Sequence, residues 1–358
     1  MRHISVWWRR IPRSLNSLQF VLFIHFHLTS FLHSVLNKMS SFDVGNSSEI
    51  NYTFYKNKHV SIISCPFSGG QHRGGVEYGP LHVLEHGLEN QLKSLDWTVS
   101  SVNELEFTPP KSDPDEGKLK RPRFVSEATK KVATEVAASV KAGTFALTIG
   151  GDHSLAIGTV SGVFSQFPDA CLLWIDAHAD INTAQTTESG NIHGCPVSFL
   201  MGLNDPCPPQ FEWVKPVLKA NKLAYIGLRD VDPGERMILK QHNIAAYSMH
   251  HVDKYGIGKV VEMALARINP EGKSPVHLSL DIDALDPEHA PATGTPVRGG
   301  LSLREACYIC EAVAETGNLV SMDLMECNPV LGVDERSIKS TMDTACSLVR
   351  CAMGETLL

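Results

Sequence analysis

Short apolar runs recur along the chain and alternate with stretches of helical pattern. The runs are Val60–Ser64, Phe145–Ile149, Cys171–Ile175, Leu223–Ile226, Val276–Leu280 and Leu319–Met322. Their length, and apolar side chains on both faces, are those of strands buried in a parallel sheet. Between them lie helix signals. Ser126 is placed to cap a helix running to Lys141, with Gly143 just past its end. Ser302-Leu-Arg-Glu305 forms a capping box that opens a helix stopping near Gly317. Thr108–Arg123 is Pro-rich and charged, the composition of a surface loop. Strands alternating with helices predict an α/β protein with an open, mostly parallel central sheet and helices on both faces.

At 358 residues the chain is long enough for two domains. No repeat and no long linker divides residues 58–354, so 43–358 is expected to be a single catalytic domain. Residues 1–42 differ from the rest: they contain Arg2, Arg9, Arg10, Arg13 and Lys38 and no acid. Their apolar stretch, Phe20–Leu36, is interrupted by His25, His27 and His33. A basic, acid-free leader fits an organelle-targeting presequence. An upstream extension before a working start at Met39 fits equally, and a secretory signal lacks a clear cleavage site. The address is therefore expected to be intracellular: mitochondrial if 1–42 is a presequence, cytosolic otherwise.

Composition narrows the function. With 32 Lys and Arg against 39 Asp and Glu, the net charge of −7 offers no basic excess to meet phosphates, which disfavours nucleic acid as a partner. No apolar run reaches the 18 or so residues of a membrane span, so no stable membrane insertion is expected. The nine Cys are scattered, and the one close pair, Cys307 and Cys310, has no second ligand pair at zinc-finger spacing. Thiols in a reducing compartment are the expected reading.

The chemistry lies just after the strands. Phe145–Ile149 is followed by Gly150-Gly-Asp-His153-Ser, and Cys171–Ile175 by Asp176-Ala-His178-Ala-Asp180. Val276–Leu280 is followed by Asp281-Ile-Asp283, and Leu319–Met322 by Asp323-Leu-Met-Glu326-Cys-Asn. In open α/β sheets ligands bind beyond the carboxyl ends of the strands. Side chains at i and i+2 share a face of a strand, so Asp176, His178 and Asp180 are expected to project together, as are Asp281 and Asp283. Four carboxylates and the imidazoles of His153 and His178 in one place demand positive charge, since crowded carboxylates disfavour one another's ionisation. Two divalent cations would balance them, and an oxygen-rich set without thiolate favours Mn²⁺. One Asp-x-Asp alone is more often a turn or a cap; two sets with Gly-Gly-Asp-His, each directly after a strand, favour a dinuclear site.

These motifs, with Asp176-Ala-His-Ala-Asp-Ile-Asn, Ser279-Leu-Asp-Ile-Asp-Ala-Leu-Asp-Pro and Ala292-Thr-Gly-Thr-Pro, resemble the ureohydrolase family over about residues 58–354. The segment Asn182-Thr-Ala-Gln-Thr-Thr-Glu-Ser189-Gly-Asn191-Ile-His193-Gly resembles arginases rather than agmatinases. Gly69-Gly-Gln-His-Arg73, Gly227-Leu-Arg-Asp-Val-Asp232-Pro-Gly-Glu235 and Met325-Glu326-Cys-Asn-Pro are also arginase-like. The resemblance implies a three-layer α/β/α fold, two Mn²⁺ per subunit and hydrolysis of L-arginine to L-ornithine and urea. It assigns His153, Asp176, Asp180 and Asp281 to one metal, and Asp176, His178, Asp281 and Asp283 to the other. Asp180 would move the proton of the attacking water to the leaving nitrogen, Glu326 would pair with the guanidinium, and His193 would shuttle protons to solvent. Asn182, Ser189, Gly190 and Asn191 would form the loop that reads the α-carboxylate. Asp232 would accept from the α-ammonium with Glu235 acting through water, and Thr295 would line the pocket. Family habit implies a homotrimer or homohexamer. The chain departs from the family pattern at Ala184-Gln185, where many arginases have Pro, and at Cys195, where Gln is common. Its end, Gly354-Glu-Thr-Leu-Leu, resembles bacterial and fungal members. Competing readings are an agmatinase or other guanidino-compound hydrolase, a non-catalytic arginine-binding scaffold, and a related-fold deacetylase with one Zn²⁺.

All metal and substrate motifs lie after residue 150, so a chain starting at Met39 is expected to fold and hydrolyse arginine like the full one. Purification and assay of the Met39 form checks this, and loss of activity or solubility would contradict it. A fluorescent fusion of residues 1–42 separates organelle import from a diffuse extension.

Overall fold

The structure, a computed structural model, describes residues 50–356, so the expectations for residues 1–42 fall outside the described residues. Eight strands form one wholly parallel sheet. They are β1 His59–Cys65, β2 Thr98–Glu104, β3 Phe145–Gly150, β4 Cys171–Ile175, β5 Leu223–Leu228, β6 Ala245–Ser248, β7 Val276–Asp281 and β8 Leu319–Met325, in the order β2-β1-β3-β8-β7-β4-β5-β6. The six apolar runs are the six inner strands. Every residue of β3, β4, β5, β7 and β8 is buried. Burial on both faces requires cover on both sides, and helices supply it in a three-layer α/β/α arrangement. Among the described residues no helix is long and apolar enough to cross a membrane.

The two edge strands were not read from the sequence. β2 alternates exposed and half-buried positions and is rich in Ser and Asn, and β6 has only four residues, none fully buried. An edge strand is ordered by its neighbour's backbone, and its own composition need not announce it.

Helix starts show the same division. The capping box at Ser302 forms as expected: Ser302 Oγ accepts from the Glu305 amide at 3.3 Å, and Glu305 Oε2 accepts from the Ser302 amide at 2.9 Å, opening α1 Leu303–Glu315. The helix expected to begin at Ser126 instead runs Pro122–Lys141 (α2). Its cap is remote: the Asp113 carboxylate accepts from the amides of Arg123 and Phe124 at 3.0 and 2.9 Å. Pro122 suits a first-turn position that needs no amide partner. Ser126 lies inside the helix, and its hydroxyl donates to the Gln210 carbonyl.

The loops after β1 and β3 touch backbone to backbone. Gly151 donates to Cys65 O at 3.0 Å and Asp152 to Phe67 O at 3.0 Å. A Cβ on Gly151 would lie 1.7 Å from Phe67 O, so only glycine lets the chain pass here. Gly151→Ala is expected to destabilise the protein by at least the roughly 1–3 kcal/mol of core overpacking, read by urea denaturation.

Candidate metal and substrate site

The strand order places the chemistry. β3, β8, β7 and β4 are consecutive neighbours at the centre of the sheet, and their carboxyl ends carry His153, Glu326, the Asp281/Asp283 pair and the Asp176–Asp180 segment. β5 lies next to β4, and Asp232 and Glu235 follow it. Residues about 170 positions apart thereby meet on one rim.

The side chains converge by turns. β4 ends at Ile175, so Asp176, His178 and Asp180 lie past the strand and not on one of its faces. The expected alternation along a strand does not bring them together. Asp176 Oδ1 accepts from the His178 amide at 2.7 Å, and Asp180 sits at φ 48° in the left-handed region. Likewise Asp281 Oδ1 accepts from the Asp283 amide at 2.8 Å. Such side-chain-to-backbone turns are what Asp favours over a continued strand.

Two clusters able to hold a cation result: His153 with Asp176 and Asp281, and His178 with Asp176 and Asp283. His153 Nδ1 lies 3.3 Å from Asp176, 3.5 Å from Asp180 and 3.2 Å from Asp281. His178 Nδ1 lies 3.4 Å from Asp176 and 3.3 Å from Asp283. Asp176 belongs to both clusters, while Asp281 groups with His153. All four carboxylates are buried, and among the described residues none has a Lys or Arg within ion-pair distance. Burial, then the charge of Asp176, pushes the Asp180 carboxyl well up; burial, then Asp283, does the same to Asp281. Burial also acts on Asp176, but hydrogen bonds from His153 and His178 outweigh it and hold that group below the usual range. A donor set of carboxylates and imidazole nitrogens fits hard to borderline divalent cations.

A second set of residues fixes the first. Trp174 donates from Nε1 to Asp176 Oδ2 at 2.9 Å and stacks on His153 with ring centroids 4.1 Å apart. Behind His153, Nε2 meets Ser279 Oγ at 2.9 Å, and Asp323 Oδ2 gathers Ser279, Thr159 and His277 at 3.3, 2.5 and 3.0 Å. Thr295, expected to line the pocket, donates to Asp283 Oδ2 at 2.8 Å. Gln71, to which the motifs assign no role, donates from its side-chain amide to Glu326 Oε2 at 2.7 Å. Glu326 Oε1 accepts from the His153 amide at 2.9 Å and faces His193 Nδ1 at 3.2 Å. Burial raises the Glu326 carboxyl, but His193 and these donors overcome it, so the group is held below its ordinary range as an anion.

On the β5 side Asp232 caps helix α3 Pro233–Gln241. Glu235 Oε2 accepts from the Asp232 amide at 3.0 Å, and Oε1 from the Ile181 amide at 3.1 Å. Glu235 thus ties the helix start to the segment after Asp180. Asn182 donates to Asp232 Oδ2 at 2.8 Å. Ser189 is exposed, and its hydroxyl accepts from the Asn191 amide at 3.2 Å. Gly190 has φ 74°, and a Cβ there would lie 2.0 Å from Lys118 O. At the two departures, Lys118 donates to Gln185 O and Thr187 O at 2.8 and 3.0 Å, and the buried Cys195 thiol contacts Asn191 O at 3.7 Å. A lysine from another segment thus ties this loop down. All nine cysteines are free.

Residues 58–354 match the family described as the arginase family. The chain belongs to the arginase family. An arginase of Glaciozyma antarctica is 58% identical over 309 residues, covering 84% of this chain and 88% of the relative. An arginase of Saccharomyces cerevisiae is 51% identical, covering 86% and 98%. Among solved structures, the cold-adapted arginase of Glaciozyma antarctica matches with TM-score 0.71 and 51% identity, covering 87% of this chain and all of that one. The arginase of Bacillus caldovelox matches with TM-score 0.78 and 36% identity, covering 84% and 100%. The family resemblance read from the motifs and the three-layer fold are both borne out.

Burial lifts the Glu235 carboxyl from 4.5 to about 7, against its two amide hydrogen bonds. The folded protein keeps this proton to higher pH than the unfolded chain does. The stability contributed is therefore complete below about pH 4.5 and lost as pH rises through about 7. Between pH 5 and 8 the wild type is expected to lose roughly 2 kcal/mol more stability than Glu235→Gln, measured by urea denaturation of the two at each pH.

Proposed function

We infer that this chain is a metal-dependent hydrolase that cleaves the guanidinium group of L-arginine to give L-ornithine and urea. One observation carries the reading: four buried carboxylates converge with two imidazoles on the central rim of an arginase-family sheet, and among the described residues no Lys or Arg lies within ion-pair distance of them. The relatives named above are arginases.

His153, Asp176, Asp180 and Asp281 would hold one Mn²⁺, and Asp176, His178, Asp281 and Asp283 the other. Such a pair supplies Lewis acidity and makes water acidic enough to act as a nucleophile near neutral pH. The chain's own residues do the rest. Glu326, kept anionic by its donors, pairs with the substrate guanidinium in a charge-assisted contact. Asp180 takes a proton from the attacking water and delivers it to the nitrogen that leaves with ornithine. His193, with its side chain 20% exposed and its Nδ1 facing Glu326, stands between solvent and the site and carries protons. Asn182, Ser189, Gly190 and Asn191 form the loop for the α-carboxylate. Asp232, held by Asn182, accepts from the α-ammonium, and Glu235 supports it through its amide and bound water. The proposal includes assembly as a homotrimer or homohexamer and a compartment decided by residues 1–42.

Urea release from arginine and from agmatine after chelator treatment and Mn²⁺ reloading tests the reading. The stripped protein should be inactive and recover on reloading, and Asp283→Ala should lose both activity and bound metal. The decarboxylated substrate should fall by on the order of 10⁴-fold in kcat/KM, because a site built to bond a polar group discriminates strongly against its absence. Full activity without metal would refute the metal role, and comparable kcat/KM for the two substrates would refute the specificity.

A further inference from the structure

Arg229, the third residue of the Gly227-Leu-Arg-Asp segment after β5, has been given no part in the chemistry. It is part-buried, and its guanidinium makes six hydrogen bonds, all to backbone carbonyls. Nε donates to Val297 O at 3.1 Å. Nη1 donates to Ala284 O at 2.9 Å and Gly227 O at 3.3 Å. Nη2 donates to Asp283 O at 2.6 Å, Val297 O at 2.8 Å and Leu285 O at 3.1 Å. Among the described residues no carboxylate lies within ion-pair distance of it. A planar fork with five donors is the side chain able to collect carbonyls from separate loops at once.

Those carbonyls belong to the segments around one half of the metal site. Asp283, Ala284 and Leu285 are the turn that presents the Asp283 carboxylate, whose Oδ2 faces His178. Val297 lies two residues past Thr295, the donor to that same oxygen. The main chain of Arg229 completes the link, since the amides of Arg229 and Asp230 both donate to Ala177 O, at 2.9 and 3.0 Å. Ala177 stands between Asp176 and His178. One residue therefore joins the β4 loop, the β7 turn and the Thr295 segment, and among the described residues none of its hydrogen bonds reaches the loop that carries His153.

We propose that Arg229 is a positioning residue that sets the geometry of the His178/Asp283 half of the metal site, through the fork of its guanidinium and not through its charge alone. The inference rests on the dinuclear reading. It predicts an asymmetry: loss of the fork loosens the turn bearing Asp283 and leaves the His153 half in place. Residues that orient metal ligands change metal affinity by roughly 10–100-fold when removed.

The test is Mn²⁺ titration of metal-free full-length protein, by chelator competition and by electron paramagnetic resonance, which reports coupling between paired ions. Wild type, Arg229→Lys and Arg229→Gln are compared in their folded fractions. Gly300→Ala supplies a further variant, because a Cβ there would lie 2.5 Å from Asp286 N and 2.6 Å from both Arg229 Nη2 and Leu285 C, so it crowds the guanidinium and the turn it holds together. All three variants should bind one Mn²⁺ as wild type does and the second about 10–100-fold more weakly, with the coupled signal diminished. Lys keeps the charge and should not rescue. Wild-type affinity for both ions in the folded variants, or rescue by Lys, would overturn the proposal. Equal weakening of both ions would overturn it too, as the mark of general destabilisation. Fewer than two ions bound by the wild type would overturn the dinuclear reading itself, and this inference with it.

Discussion

Asp176, Asp180, Asp281 and Asp283 are buried together and repel one another, and among the described residues no Lys or Arg lies within ion-pair distance of them. Burying uncompensated charge is among the most costly things a fold can do. Cations held at the two clusters of carboxylate and imidazole would balance it. Everything around the pocket is arranged to hold these groups where they would otherwise separate. Trp174 and the amide of His178 donate to the two oxygens of Asp176, and the amide of Asp283 donates to Asp281 Oδ1. The Asp323 network grips His153 from behind.

The parallel sheet makes that restraint affordable. Its inner strands are buried on both faces, so their carboxyl ends are fixed to within the tolerance of close packing. The loops then need only a few residues each to reach the centre. Two of the site's residues, Asp180 and Glu326, sit at positive φ, 48° and 64°. Strained backbone of this kind costs of order 1 kcal/mol or more and persists where its surroundings over-determine it. Glu326 is held in that conformation by its own amide bond to Gly151 O at 2.9 Å and by three partners on its carboxylate.

Roles divided in ways the residue types alone do not reveal. Asp232 and Glu235 form a helix cap, and the same cap aims Asp232 at Asn182 and the loop beyond. The helix start and the loop that begins at Asn182 are thus held by one hydrogen-bonded unit. Thr295 similarly holds Asp283 from a separate segment.

What the sequence determined by itself is local: the six inner strands, whose apolar runs declare burial on both faces, the capping box at Ser302, and the kinds of ligand that follow each strand. A ligand's chemistry is carried by its residue type, and its place after a strand is a matter of a few positions, so both are legible without a structure. The tertiary structure decided what depends on closure over long separations. It set the strand order that makes β3, β8, β7 and β4 neighbours. It replaced alternation along a strand with turns at Asp176 and Asp281, and moved a helix start from Ser126 to Pro122 through a carboxylate ten residues away. It also gave Gln71, Asp323 and Arg229 their partners. A hydrogen bond between residues 255 apart, as between Gln71 and Glu326, leaves no period and no spacing in the chain, because the packing of the whole sheet brings the two together.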